Sequence, residues 1–148
     1  MTTEASSRPA TGRLARITLA VLHALVALTA LAGGLTLIYG ALFGDPTGLL
    51  VPPVEYLEGS PFPDFVGPGL LLAGVVGGTQ VLASILAFRG RAYWQVGSAV
   101  ASFGLAIWVF VQMIFIPFSF LQAVYMGFAL GEIGLLLLSY GILSRPRR

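Results

Sequence analysis

Four long apolar runs, with short polar breaks between them, account for most of the chain. Apolar residues dominate 17–43, 66–88, 92–116 and 120–143. Each run reaches or exceeds the roughly 20 residues that a helix rising 1.5 Å per residue needs to cross hydrocarbon. The pattern predicts an all-α integral membrane four-helix bundle with spans at those positions. The first run, at roughly 27 residues, is longer than a span needs, so it tilts or leaves one end outside the hydrocarbon. It is also too long for the apolar region of a signal peptide, and no clear small-residue cleavage site precedes the next polar segment.

The polar segments differ in character. Residues 1–16 carry Arg8, Arg13 and Arg16 without apolar periodicity, which reads as a disordered cytoplasmic tail. Residues 144–148 form a second, shorter basic tail. The link at 44–65 holds Asp45, Glu55, Glu58 and Asp64 and no basic residue. Its prolines, Pro46, Pro52, Pro53, Pro61 and Pro63, exclude one regular element. Leu49, Leu50, Val51, Tyr56 and Leu57 nevertheless make it too apolar for a solvated linker. Pro53 as a first-turn residue and Gly59 as an exit predict a short helical turn over 53–58, lying at the lipid headgroups. Asp64 is placed to cap span 2, with Pro68 in its first turn, where a missing N–H matters little. Ser119 is placed to cap span 4.

Charge then sets the orientation. All eight basic residues are arginines, and they fall in the N-terminal tail, the 89–91 turn and the C-terminal tail. With four spans those three places share one side, which the positive-inside rule makes cytoplasmic. Eight arginines less Glu4 leave about +7 inside, against about −4 in the 44–65 loop. The expected topology is N-in/C-in with one long outer loop between spans 1 and 2, in a bacterial inner membrane.

Composition agrees. The chain is 57% hydrophobic and 9% charged, against about 25% charged in soluble domains. So few charges could not cover a water-exposed surface, whereas lipid removes the need. The absence of cysteine excludes disulfides and thiolate metal ligation.

Small residues recur four apart: Ala30 and Gly34, Ala73 and Gly77, Gly97 and Ala101, Gly127 and Gly131. Such pairs lie on one helix face and allow close approach of backbones. Packing within the monomer's own bundle is the expected use, because short links already force neighbours together; a dimer face is the sharper alternative.

His23 and Glu132 are the two ionisable side chains inside the runs that draw a functional hypothesis by default. Counting from the flanking arginines puts Glu132 roughly 20 Å from the inner boundary and His23 roughly 10 Å, so direct pairing is not expected. Thr29 and Ser102 are the expected level-mates of Glu132, and Gln80 and Ser98 those of His23. Glu132 as a proton or cation site is weighed against a protonated glutamic acid hydrogen-bonded across the bundle. Two lone groups make no metal site. Trp108, Gln112, Gln122 and Tyr125 cluster around the turn before span 4, where they line an outer pocket or form an interfacial belt. No nucleophile–base–acid set is apparent, Gly74, Gly77 and Gly78 form no phosphate loop, and the basic ends are too short for nucleic acid. They suffice for anionic lipid headgroups.

The segment Ser60-Pro-Phe-Pro-Asp-Phe-Val-Gly-Pro-Gly-Leu70 resembles the segment before span 2 in a group of small four-span bacterial membrane proteins without an assigned activity. Trp108, Gln112, Ser119, Leu121, Gln122 and Tyr125 match a second pattern of that group, with Ala123 where proline is common. A weaker similarity runs to DoxX-like four-span bundles. The resemblance implies the fold and no activity. With the residues, it leads to the expectation of a non-enzymatic accessory or envelope protein without a cofactor, in contact with lipids and with a second copy or a partner membrane protein. A small transporter using Glu132 is the alternative. The 58–69 segment is expected to fold over the outer mouth of the bundle with Phe62 or Phe65 inserted.

Overall fold

Ser7 begins a helix that runs unbroken to Phe43, α1. The structure, a computed structural model, describes residues 7–140, and side chains from residue 12 onward. Three further helices follow: α2, Val66–Arg89; α3, Trp94–Phe115; and α4, Phe120–Ser139. All four are long and apolar enough to cross a membrane, and the described residues contain no strand.

The start of α1 corrects the expected tail. Residues from Ser7 are helical, so Arg13 and Arg16 ride on α1. Pro9 falls in the first turn, where it breaks no hydrogen bond, and Ala, Arg and Leu then favour helix. The basic tail at 144–148 lies outside the described residues.

The helices form a ring in chain order, each packed on its neighbours, with α4 closing against α1. Arginines 13, 16, 89 and 91 gather at one end, and the acids of the 44–65 connection at the other. Local chemistry explains the ends. Gly90 is left-handed (φ 57°) and closes α2, with its N–H and that of Arg91 returning to Ala87 and Leu86. Ser119 caps α4 in a full capping box: its hydroxyl accepts from the Gln122 N–H, and the Gln122 side chain accepts from the Ser119 N–H. At α2 the N-cap position belongs to Phe65. Asp64, one residue earlier, accepts the Val66 N–H at 2.9 Å.

α2 is not uniform. Leu71–Gly77 winds as π-helix between α-helical ends. Beside this stretch α1 and α2 touch backbone to backbone. A Cβ on Gly34 would lie 2.6 Å from the Gly69 carbonyl oxygen and 2.7 Å from the Ala73 Cβ. Gly77 faces Leu31, and Gly97 faces Leu86. These small residues therefore pack inside the bundle, whereas Gly127 and Gly131 meet nothing within 4 Å.

The 44–65 connection is folded. A 3₁₀ turn spans Val54–Leu57, led by Pro53 and followed by Glu58 and left-handed Gly59 (φ 80°). Asp45 knots the first half. Its Oδ1 accepts the Thr47 hydroxyl at 2.7 Å, and its Oδ2 accepts the Leu50 and Val51 N–H groups at 2.6 and 3.0 Å. The bond from the Thr47 hydroxyl, joined by those backbone N–H groups, holds the Asp45 carboxyl at about 2, below its ordinary 3.8. Val51 then rests against Gly40 of α1, Phe62 lies against Gly67, and Leu57 and Phe65 are buried.

Two outcomes test this packing. Gly34→Ala lowers thermal stability in mild detergent by about 1–3 kcal/mol, since backbone must move to admit the methyl, whereas Gly127→Ala leaves it unchanged or raises it slightly. The Asp45 carboxyl is depressed on folding, so its contribution is complete above pH 3.8 and is lost as pH falls through about 2. The amide resonances of Leu50 and Val51 will titrate with a midpoint near 2 and stay flat above about 4; a midpoint at 3.8 would show that the knot does not hold in solution.

Candidate functional site

α1, α2 and α4 each send one polar side chain to a common point inside the bundle. His23, Gln80 and Glu132 are completely buried there. The His23 Nδ1 lies 2.5 Å from the Gln80 Oε1 and 3.1 Å from the Glu132 Oε1. The Gln80 Nε2 donates to the Glu132 Oε2 at 3.1 Å and, more weakly, to the Ala101 carbonyl of α3 at 3.4 Å. All four helices thus meet at one amide.

The hydrogen-bond directions place the protons. Ala101 accepts, so the amide nitrogen of Gln80 faces α3 and its oxygen faces His23. An acceptor 2.5 Å from Nδ1 requires the proton on Nδ1. The Glu132 Oε2 accepts from the Gln80 Nε2, while its Oε1 lies 3.1 Å from an Nδ1 whose proton is already engaged by Gln80. Among the described residues, the His23 Nε2, the Ser98 Oγ and the Glu132 Oε1 are buried without a hydrogen-bond partner.

The expected separation of His23 and Glu132 is corrected. A count from Arg145 overstates the depth of Glu132, because α4 ends at Ser139, seven residues past it. His23 lies seven residues past Arg16, so both sit roughly 10 Å from the same end. Arg16 marks that end: its Nη1 donates to the Ala87 carbonyl at 2.5 Å, near the C-terminus of α2. Of the expected level-mates, Gln80 meets His23. Thr29 and Ser102 instead return their hydroxyls to their own helices, at Val26 and Ser98.

At the opposite end lies an apolar cleft of about 660 Å³ between the 44–65 connection, α1, α2 and α3. Phe62, Phe65, Leu72 and Phe115 are in its wall. Beside it, and sharing part of its wall, lies a smaller space of about 240 Å³ lined by Thr29, Leu105 and Tyr125 among others. Gly33, Leu72, Trp108 and Gln112 line both. Trp108, Gln112, Gln122 and Tyr125 therefore share one cavity. Asp64 belongs to neither centre and serves the start of α2. Phe62 and Phe65 both face the cleft, so the connection forms one of its walls.

A single apolar layer separates cleft from triad. Val26, Val76, Leu105 and Ala129 pack together one turn from His23, Gln80, Ala101 and Glu132. Gln80 carried a sequence signal as an amide in an apolar run. The roles of Arg16 and Asp45 did not, because each depends on a distant backbone group.

The chain matches no family model, and neither a curated protein nor a solved structure matches it.

Glu132→Leu leaves the Gln80 amide with only its weaker bond to the Ala101 carbonyl and will lower stability by about 1–3 kcal/mol. Converting His23, Gln80 and Glu132 together to leucine will recover most of that loss. Reversible unfolding in mixed micelles measures both, and a single-variant loss below about 1 kcal/mol would exclude the triad as a structural tie.

Proposed function

We propose that this is a multi-pass bacterial inner-membrane protein with both termini cytoplasmic, acting without catalysis as an accessory or envelope component. The inverted distribution of polarity supports the membrane setting. His23, Gln80, Ser98, Ser102 and Glu132 are inside, while Leu28, Leu35, Ile107, Phe110 and Leu130 point outward. Hydrocarbon tolerates that arrangement and water does not. The segregation of arginines from acids supports the orientation.

One observation carries the choice of a non-conducting role: the triad is enclosed. Glu132 has no exposed surface, lines neither part of the cleft, and lies behind the Val26–Val76–Leu105–Ala129 layer. A carrier's carboxyl has to be reached by its ion, whereas this one is occupied by Gln80 and His23. The cleft supplies hydroxyls and amides from Thr29, Ser119, Tyr125 and Gln112, but no carboxyl or imidazole to serve as general base.

A second reading, a proton-linked transporter, is favoured by the unpartnered His23 Nε2. A buried imidazole with one unpartnered nitrogen beside a carboxyl group is the kind of side-chain pair that proton relays use.

Proteoliposomes with an enclosed pH-sensitive dye separate the two. The proposal expects proton entry no faster than in protein-free vesicles, with Glu132→Gln lowering only thermal stability, by about 1–3 kcal/mol. Proton flux that Glu132→Gln abolishes while the protein remains folded would overturn it.

A further inference from the structure

We infer that the cleft is a binding site for a neutral amphipath: a hydrocarbon chain carrying an uncharged hydrogen-bonding head. It rests on the membrane reading only for the phase from which the ligand arrives.

The size comes first. Some 660 Å³ falls within the range of small-molecule sites, and the adjoining space of about 240 Å³ shares part of its wall. A hydrocarbon chain suits these apolar walls better than a compact polar solute does. The chemistry of the walls follows. No lining residue is charged, and leucine, valine, proline and phenylalanine predominate. An ionised head would be stripped of water with no counter-charge to meet, which disfavours it strongly.

The cavity is not purely apolar, however. Trp108 and Gln112 line both the larger and the smaller space, and Tyr125 lines the smaller one. Among the described residues, the Trp108 indole N–H, the Gln112 amide and the Tyr125 hydroxyl have no side-chain partner, whereas the nearby Gln122 is committed to the α4 cap. Half-buried donors left free in an apolar cavity select a ligand with a carbonyl or hydroxyl at that height. Gly33 lines both spaces as well, and an added Cβ there would meet only Leu72, at an ordinary 3.6 Å. A larger side chain at Gly33 therefore enters the cavity without displacing backbone.

Such a head occurs on a bilayer lipid of the diacylglycerol type and on a free single-chain molecule of the monoacylglycerol type. The test distinguishes them. In a Trp94→Phe background Trp108 is the sole tryptophan. This protein is placed in lipid nanodiscs, and co-elution with the discs scores insertion separately from binding. Brominated monoacylglycerol, brominated diacylglycerol and the anion of a brominated fatty acid are titrated in turn. Occupancy of the cleft quenches Trp108 saturably, whereas lipid at the outer surface quenches in proportion to its mole fraction.

The expected result is saturable quenching by at least one neutral glyceride, with at least 10-fold weaker binding of the fatty-acid anion. Saturation by the two-chain lipid assigns the ligand to the bilayer, and saturation by the single-chain glyceride alone assigns it to a free amphipath; both uphold a neutral head. Gly33→Leu removes the saturable component while thermal stability is retained. Gln112→Leu keeps the volume and weakens neutral-glyceride binding roughly 2- to 10-fold, which preserves the test if Gly33→Leu fails to fold. Quenching that is linear for every compound and the same in both variants, or an anion that binds as well as the glycerides, would overturn the inference.

Discussion

The seam between α1 and α2 is the constraint from which the other contacts follow. Its partners descend in antiparallel register, Arg16 with Ala87, Ala20 with Ser84, His23 with Gln80, and Gly34 with Gly69. Each rung obeys the same physics. A polar group enclosed by apolar side chains has no water to fall back on, so it must find a partner within the bundle. Three polar rungs fix the register over the half near the chain ends. Beyond them the seam closes by sterics, with backbone against backbone at two glycines. A shift of one residue would break hydrogen bonds at one end and collide Cβ atoms at the other.

With that seam set, Gln80 has its oxygen engaged by His23 and its nitrogen free to recruit the rest. Glu132 comes in from α4, and the Ala101 carbonyl from α3. Directional bonds at this level define how the four helices face one another. The layer next to it is van der Waals contact alone, and beyond that layer the bundle opens into the cleft. The molecule is thus graded along its length, from hydrogen-bonded to close-packed to hollow. The hollow end is walled by the one connection long enough to fold back on itself, which the Asp45 knot shapes.

Much of this was legible in the chain. The helices follow from apolar length, and the cap of α4 from Ser119 and Gln122 three apart. The turn at Val54–Leu57 follows from Pro53 and Gly59. The polar members of the triad were visible as His23, Gln80 and Glu132, each inside an apolar run, and Gln80 was expected at the level of His23. That Glu132 joins them was not visible. Depth counted from arginines assumes that helices end where charge begins, and α4 ends at Ser139 while α1 begins at Ser7. The π-helical stretch of α2 left no trace either. An added residue per turn rotates everything beyond it by about 100°, and nothing in Leu71–Gly77 marks it except small residues that also suit a straight helix.

Taken alone, the sequence determined what depends on neighbours along the chain: four helices, their caps, the segregation of arginines from acids, and a polar loop rich in apolar side chains. Those follow from local sterics, helix termini and solvent preference, which act over a few residues. Tertiary structure alone decided which polar groups share a level, that Gly34 and Gly69 meet while Gly127 and Gly131 face open space, and that Trp108, Gln112, Gln122 and Tyr125 surround a cavity. These depend on register between helices, where one residue moves a side chain by 1.5 Å in height and about 100° in direction. No periodicity within a single helix carries that information.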